Sequence, residues 1–408
     1  MIFYLKLAWR NIFRNKRRTF IAGTAIGVGL ASLIFTDALL IGMKENMIDS
    51  VTSSFLGEAQ IHGQGYRQTQ EVEKTIQDPD QVISSLKKSE SVEYFAPRVI
   101  SFAMITSPVN VHSIALYGID PDLESRVSEI DENIVQGEYL KQDNQRGILI
   151  GKELAELLEL TLGDRVVVTV SQAETGQLSQ ELLRVSGIFR TLIKEMDQGM
   201  AFIKTETLQN MLGISGKFHE IAIQFRNSEY ALQNNTLFIQ KFSRFGNEAA
   251  NWPQLVPQMK IVFQMTNLSL SIIAVIIFGV VVFGIINTLF MSLYERMFEF
   301  GVLRAVGTRS SGVRKLIVLE AGSLAVVSII IGIILGFILT FIISQTGIDY
   351  RGLDFAGATL TKMLYPVMEI RQYIIHPVLV FLFTILVSIY PAVTAGKMKI
   401  ADTLRRSL

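Results

Sequence analysis

Four apolar runs, at residues 20–42, 264–290, 316–344 and 374–395, constrain this chain more than any other feature. Each reaches or exceeds the roughly 20 residues that a helix needs to cross a hydrocarbon core of about 30 Å. They predict a membrane α-helical protein with four transmembrane helices. Residues 43–263, between the first two runs, are too many for a loop and enough for one or two domains with real cores. The third run, roughly 43 Å long at about 1.5 Å per residue, should tilt or project and carry Glu320 towards a polar interface.

The 38 basic and 37 acidic side chains nearly cancel, so their placement is what informs. Residues 1–19 carry Lys6, Arg10, Arg14, Lys16, Arg17 and Arg18 without an acid. Residues 291–315 carry Arg296, Arg304, Arg309, Arg314 and Lys315, and the tail 396–408 adds Lys397, Lys399, Arg405 and Arg406. Cationic flanks stay on the cytoplasmic side, so all three segments are expected there, with both termini inside. Residues 43–263 hold 20 basic and 29 acidic residues, as suits an exported domain inserted between helices 1 and 2. Residues 345–373 then form a short outer loop. The first run exceeds the apolar length of a signal peptide, about 7–15 residues, and no A-x-A site follows it, so an uncleaved anchor is expected. The absence of cysteine suits an oxidising compartment without disulfides and a reducing one equally.

Within the exported part the pattern is mixed α/β. GILIG, RVVVTV, ELLRVSGIF, GMAFIK and EIAIQF have β character, KELAELLEL has helical spacing, and TETLQNML and SEYALQNNTLFIQKF predict short helices. Lys44 to Tyr66 should begin helical and end as a strand before turn-forming glycines. His219 beside Glu220 is expected as a surface pair at a strand edge. GISGKF, residues 213–218, lacks the spacer and the hydroxyl residue of a phosphate loop and predicts a helix C-cap followed by a turn.

Catalytic constellations are missing: there is no H-E-x-x-H, no G-x-S-x-G, and the four histidines lack ligand spacing. No enzyme, cofactor, metal site or nucleic-acid partner is therefore expected in this chain. Gly23 and Gly27, and Gly332 and Gly336, form two G-x-x-x-G faces, suited to close helix approach but also common in membrane helices generally. Asp37 should lie near the outer interface rather than at the bilayer centre. On the N-terminal segment Lys6, Arg10, Arg14 and Arg18 recur every four residues while Leu5, Trp9, Ile12 and Phe13 line another face, as in a helix lying in the inner headgroup region.

The segment YERMFEFGVLRAVGTRSS, from Tyr294, is helix-forming where a loop would suffice. Glu295 and Glu299 lie in its N-terminal half and Arg304 near its other end, complementing the helix dipole. Gly307 is placed to cap it, and Ser310 or Ser311 to start the next helix. A rigid helix of roughly 18 Å is expected at the cytoplasmic face. It would transmit force from a cytosolic partner to both flanking crossings, or serve as a surface packing helix without one.

ERMFEFGVLRAVG resembles the E-R-x-x-E-x-G-x-L-R-A-x-G segment of permease subunits in the MacB, lipoprotein-releasing (LolC/LolE) and FtsX superfamily of ABC transporters. YPAVTAGKMKIADTLR is similar to the closing segment of that superfamily, with Ile400 where proline is usual, and LAWRNIFRNKRRTFIAGTAIGVG is similar to its opening. LIGKELAELLELTLGDRVVVTV looks like part of its exported domain. The resemblance implies a dimeric permease core in the bacterial inner membrane, with an identical or related second subunit and the large domain periplasmic. It implies a separate cytosolic ATPase that binds ATP and Mg and receives the coupling residues Glu295, Arg296, Glu299, Gly301, Leu303, Arg304, Ala305 and Gly307. LolC/LolE-like permeases fit best, implying mechanotransmission that extracts lipoproteins or other amphiphiles, with a periplasmic adaptor or chaperone as a further partner. The alternatives are an FtsX-like regulator of a periplasmic cell-wall hydrolase and a MacB-like efflux permease. SQAETGQLSQE lies where LolC-like subunits carry a longer, proline-containing hook for a chaperone, and is short, polar and without proline.

Overall fold

The computed structural model describes residues 2–14, 16–141, 144–191, 194–227, 230, 236–349, 354–355, 358–359 and 363–397. Two compact units emerge, a helical one (Met1–Glu45, Phe263–Asp349, Met363–Leu408) and an α/β one (Asn46–Val262, Tyr350–Lys362). The tail residues Lys399, Ile400, Arg405 and Arg406 lie outside the described residues, as does part of the expected helix over SEYALQNNTLFIQKF, of which Thr236–Phe242 is helical.

In the helical unit the four runs form helices longer than their apolar cores: Lys16–Val51, Pro257–Glu295, Ser310–Thr346 and Gln372–Lys397. All four are long and apolar enough to cross a membrane. Their buried hydroxyls bond backward along their own helix: Ser328 to the Leu324 carbonyl at 2.8 Å, Thr340 to Gly336 at 2.7 Å and Thr384 to Val380 at 2.7 Å. These three hydroxyls are thereby satisfied in an apolar surround, whereas Thr24 Oγ1 of the first long helix is buried without a hydrogen-bond partner among the described residues. Ile26, Leu30 and Ile34 of the first long helix pack with Val281 and Ile285 of the second, Ala321 and Leu324 of the third and Val380 of the fourth. Asp37 accepts a hydrogen bond from His376 Nε2 at 3.1 Å, tying the first long helix to the fourth.

The two glycine motifs meet. A Cβ on Gly332 would lie 2.9 Å from the Gly27 carbonyl oxygen, and one on Gly27 would lie 3.1 Å from the Ser328 carbonyl oxygen and 3.2 Å from the Gly332 nitrogen. Here the backbones approach as closely as two helices can, which only glycine permits. Gly23 and Gly336 are roomier: their nearest foreign atoms would be 3.5 and 3.3 Å from a Cβ.

The α/β unit is built on ten strands: β1 Ala59–Gly63, β2 Val92–Thr106, β3 Val111–Ile119, β4 Ile134–Gly137, β5 Gly147–Gly151, β6 Arg165–Ser171, β7 Leu178–Phe189, β8 Met200–Lys204, β9 Glu220–Phe225 and β10 Asn247–Asn251. Their order is β10-β1-β9-β2-β3-β8-β5-β7-β4, with β6 pairing both β2 and β7. The long β2 holds the sheet together, its first half paired antiparallel with β9 and its second half with β3. Helices Lys152–Leu157 and Thr205–Leu212 cover one face, burying Leu154, Leu208 and Leu212 against Ile105, Ile148, Val168 and Val185. Gly213 ends the second of these in the left-handed region at φ 73°, the cap expected of GISGKF. The β6–β7 hairpin closes through residues 173–176, where Ala173 donates to the Leu212 carbonyl at 3.0 Å, so the hook position is a tight turn.

Changing Gly332 or Gly27 to alanine forces backbone apart and should cost about 1–3 kcal/mol as overpacking. Gly23→Ala and Gly336→Ala should be close to neutral. Thermal melts of the detergent-solubilised chain separate the two pairs.

Candidate coupling site

The helix expected to run unbroken from Tyr294 to Val306 is broken at Arg296. The second long helix ends at Glu295, Arg296 leaves helical geometry at φ −110° and ψ 17°, and a separate nine-residue helix follows, Met297–Ala305. That helix spans about 14 Å at about 1.5 Å per residue, shorter than the expected 18 Å. Glu295 and Glu299 thus sit on different helices. Gly307, at φ 103°, follows the C-cap residue Val306. Its N–H reaches the Arg304 carbonyl at 3.1 Å, and that of Thr308 reaches Leu303 at 3.0 Å. These two bonds are the Schellman pair, which needs a residue of positive φ at this point. Neither serine caps the next helix: Arg309 occupies the N-cap without a side-chain bond, and Ser310 Oγ donates instead to the Gly396 carbonyl at 2.5 Å.

Arg296 is the hub. Its Nη1 donates to both oxygens of Glu320, at 2.6 and 2.9 Å, and its Nε donates to Glu299 Oε2 at 2.8 Å. Arg14 Nη2 reaches Glu299 Oε1 at 2.6 Å, and Asn11 Nδ2 reaches Glu320 Oε1 at 2.5 Å. The chain Arg14, Glu299, Arg296, Glu320, Asn11 joins the N-terminal helix Ile2–Arg14, the short helix and the third long helix. Arg296 and Glu320 are each only 8% exposed. Glu320 therefore ends in a buried ion pair rather than at the polar interface expected for it. Burial works against the charge of Arg296, but the pull of Glu320 and of Glu299 outweighs it and raises its pKa. At Glu299 burial likewise opposes ionisation, and the hydrogen bonds from Arg296 and Arg14 overcome it, leaving the carboxyl below its usual range. The guanidinium carbon of Arg296 also lies 5.0 Å from the Phe300 ring centre. Phe300 itself is buried among Leu293, Val313, Leu316, Ile317, Ala392 and Ala395.

One face of the short helix is thus rooted in the bundle by Arg296, Phe300 and Gly301. The other is open: Phe298, Val302, Leu303, Ala305, Val306 and Gly307 are exposed, Val306 at 83%. Glu295 is exposed and Arg304 half-buried. Of the basic stripe, Lys6, Arg10 and Arg14 are exposed on the N-terminal helix, while Arg18 belongs to the first long helix and its side chain lies outside the described residues. Ile12 departs from the apolar face expected for it: with Ala8 it is buried, whereas Leu5, Trp9 and Phe13 are exposed.

A second polar centre lies in the α/β unit. Arg98 is fully buried and donates to Glu124 twice, at 2.9 and 2.5 Å, and to Glu220 at 2.6 Å, with its guanidinium 3.8 Å over the Phe55 ring. Phe55 belongs to the π-turn Thr52–Leu56 that follows the first long helix. Burial pushes the Glu220 carboxyl up against the pull of Arg98. The Tyr66 ring stacks on both His62 and His219. His219 Nδ1 accepts from the Ile100 N–H at 3.0 Å, so its Nε2 must carry the proton it donates to the Val72 carbonyl at 2.8 Å. Burial, and then Arg67, lower His62 to about 4. His219, just before β9, and Glu220, its first residue, are therefore buried at the start of an interior strand, not a surface pair at an edge.

Four helices able to span a bilayer, an α/β unit threaded between the first two, and a rooted short helix between the second and third describe a transporter permease. Family comparison agrees: residues 19–233 match the MacB-like periplasmic core domain, and residues 271–400 match the FtsX-like permease C-terminal domain. The chain belongs to this MacB/FtsX-like family of ABC transporter permeases, membrane proteins that work with an ABC ATPase. The lipoprotein-releasing system transmembrane protein LolC of Xylella fastidiosa strain 9a5c is 22% identical across 98% of this chain and 97% of its own length. LolE of Haemophilus influenzae is 22% identical over 61% of this chain and 62% of its own. The periplasmic region of MacB from Actinobacillus actinomycetemcomitans covers 50% of this chain and 92% of its own at 15% identity, with a TM-score of 0.34.

Removing one partner of the buried pair strands the other. Arg296→Ala should destabilise the helical unit by about 3–5 kcal/mol, while the paired change Arg296→Met with Glu320→Met should recover most of that loss. Thermal melts of the two variants read the difference directly.

Proposed function

We propose that this chain is the permease subunit of an ABC transporter that extracts lipoproteins or other amphiphiles from the periplasmic face of the inner membrane. The short helix Met297–Ala305 is its lever, seated in a separate ATPase that binds ATP and Mg. The observation that carries the mechanism is the two-sided character of this helix. One side is fixed to the bundle through Arg296, Glu299 and Glu320, and the other presents Phe298, Val302 and Val306. An exposed apolar ridge on a short rooted helix is an interface core awaiting a partner. Basic residues clustered at the ends of the long helices support a cytoplasmic position for this face and for both termini.

The cargo class rests on the relatives described as lipoprotein-releasing components. The α/β unit supports it with an apolar surface of its own. Met104 of β2 pairs with Thr169, and Thr169 with Gln180 of β7, so their neighbours Phe102, Leu178 and Leu182 share one sheet face, opposite the core. Phe102, Met104, Leu178 and Leu182 are all exposed. Force applied to the short helix reaches the third long helix through Glu320 and the N-terminal helix through Arg14 and Asn11. The resemblance expects a second subunit, identical or related, to complete the machine. The tight β6–β7 turn argues that a periplasmic chaperone, where one is used, docks elsewhere.

Arg304→Glu and Val302→Asp should each leave insertion into the membrane intact. Both should lower ATPase co-purification and ATP-driven release of lipid-anchored protein about tenfold or more, the cost of losing a central interface residue. Wild-type coupling in both variants would remove the lever from the mechanism.

A further inference from the structure

The N-terminal helix Ile2–Arg14 has two apolar stripes and only one is packed. Ala8 and Ile12 are buried in the bundle, while Leu5, Trp9 and Phe13, spaced four apart, are exposed. Together with Val318, Leu319 and Val326 of the third long helix and Phe381 and Ile385 of the fourth, the exposed stripe lines an open groove of about 1240 Å³. That is above the range of roughly 300–1,000 Å³ usual for small-molecule pockets. Along its rim stand Lys6, Arg10 and Arg14, one helical turn apart. Arg14 is engaged by Glu299, whereas Lys6 and Arg10 meet no acid among the described residues. An apolar trough with two uncommitted cations at one edge matches a molecule with long hydrocarbon tails and an anionic head.

A second copy of the chain fits the trough less well. Residues 264–290, 321–346 and 372–397, the apolar parts of three of the four long helices, contain no Asp or Glu. They could cover the trough but would leave Lys6 and Arg10 without a countercharge in a low-dielectric contact. A lipid phosphate supplies that charge, and Trp9 beside it has the amphipathic ring favoured at headgroup depth. We propose that this groove is a binding site for one anionic phospholipid of the adjacent leaflet. Its phosphate sits on Lys6 and Arg10, and its acyl chains lie along Val318, Leu319, Val326 and Phe381. The lipid would then bear on the helix that carries Asn11 and Arg14, the two outer members of the Arg296 network. Anionic lipid content would thereby bias how firmly the short helix is held.

Trp9 reports occupancy, since the other tryptophan, Trp252, is buried in the α/β unit. The full chain is reconstituted in phosphatidylcholine vesicles containing a small fraction of brominated phosphatidylglycerol or, in parallel, the same fraction of brominated phosphatidylcholine. The phosphatidylglycerol should quench Trp9 preferentially and saturably. Lys6→Gln and Arg10→Gln should each cut that preference roughly fivefold, the contribution of one cation near an anionic lipid. Lys16→Gln with Arg17→Gln, which removes two exposed cations outside the groove, should leave the preference unchanged. Equal quenching by both lipids, or equal loss from either pair of changes, would overturn the site in favour of general surface charge. Trp9 shielded from both lipids would overturn it in favour of a second protein chain in the groove.

Discussion

The bond between Arg296 and Glu320 is the constraint on which the helical unit turns. A glutamate in an apolar helix is tolerable only if its charge is met, and a buried arginine only if its donors are used. Each solves the problem of the other, and the solution fixes geometry. Arg296 must leave the second long helix to reach Glu320 on the third, so the chain breaks at that residue and the short helix starts in a set direction. Glu299, in the first turn of that helix, completes the guanidinium and brings in Arg14. A buried ion pair is a poor source of net stability but a strong determinant of position, which is what a force-bearing connection needs.

The α/β unit uses the same device. Arg98 sits on β2 where that strand passes from pairing with β9 to pairing with β3. It holds Glu124 from one side, Glu220 from another and the Phe55 ring from a third. Because Phe55 lies in the turn Thr52–Leu56, that turn is packed directly against the Arg98 centre. Both units thus place a buried arginine paired with two glutamates where a long element changes role.

Much of this was legible in the sequence, and the failures share a cause. The four long helices follow from apolar length alone, and EIAIQF, TETLQNML and RVVVTV take the structures their periodicity predicts. The break at Arg296 was invisible because Glu-Arg-Met-Phe-Glu is a good helix sequence, and only the distant Glu320 interrupts it. Ser310 looked like a cap and was drawn instead to the Gly396 carbonyl. The β2 strand, VEYFAPRVISFAMIT, mixes buried and exposed positions without strict alternation and contains Pro97, which ordinarily argues against a central strand. His219 and Glu220 read as surface residues because their partners, Val72, Ile100 and Arg98, lie far from them in the chain. The signal that could have found this centre is an arginine flanked by apolar residues, FAPRVI, together with a strand that opens with Glu220 directly after His219.

The central claim is that the short helix moves as one body with the third long helix. The chain contains no cysteine, so spin labels can be placed at Met297→Cys, on the short helix but off its apolar ridge, and at Ile330→Cys, exposed on the third long helix outside the groove. Electron paramagnetic resonance would then measure their separation in the assembled transporter, with and without ATP. A single narrow distance, unchanged by nucleotide, is the predicted result. A broad distribution, or a distance that shifts when ATP binds, would show that the short helix swings independently and that the Arg296 network does not hold it.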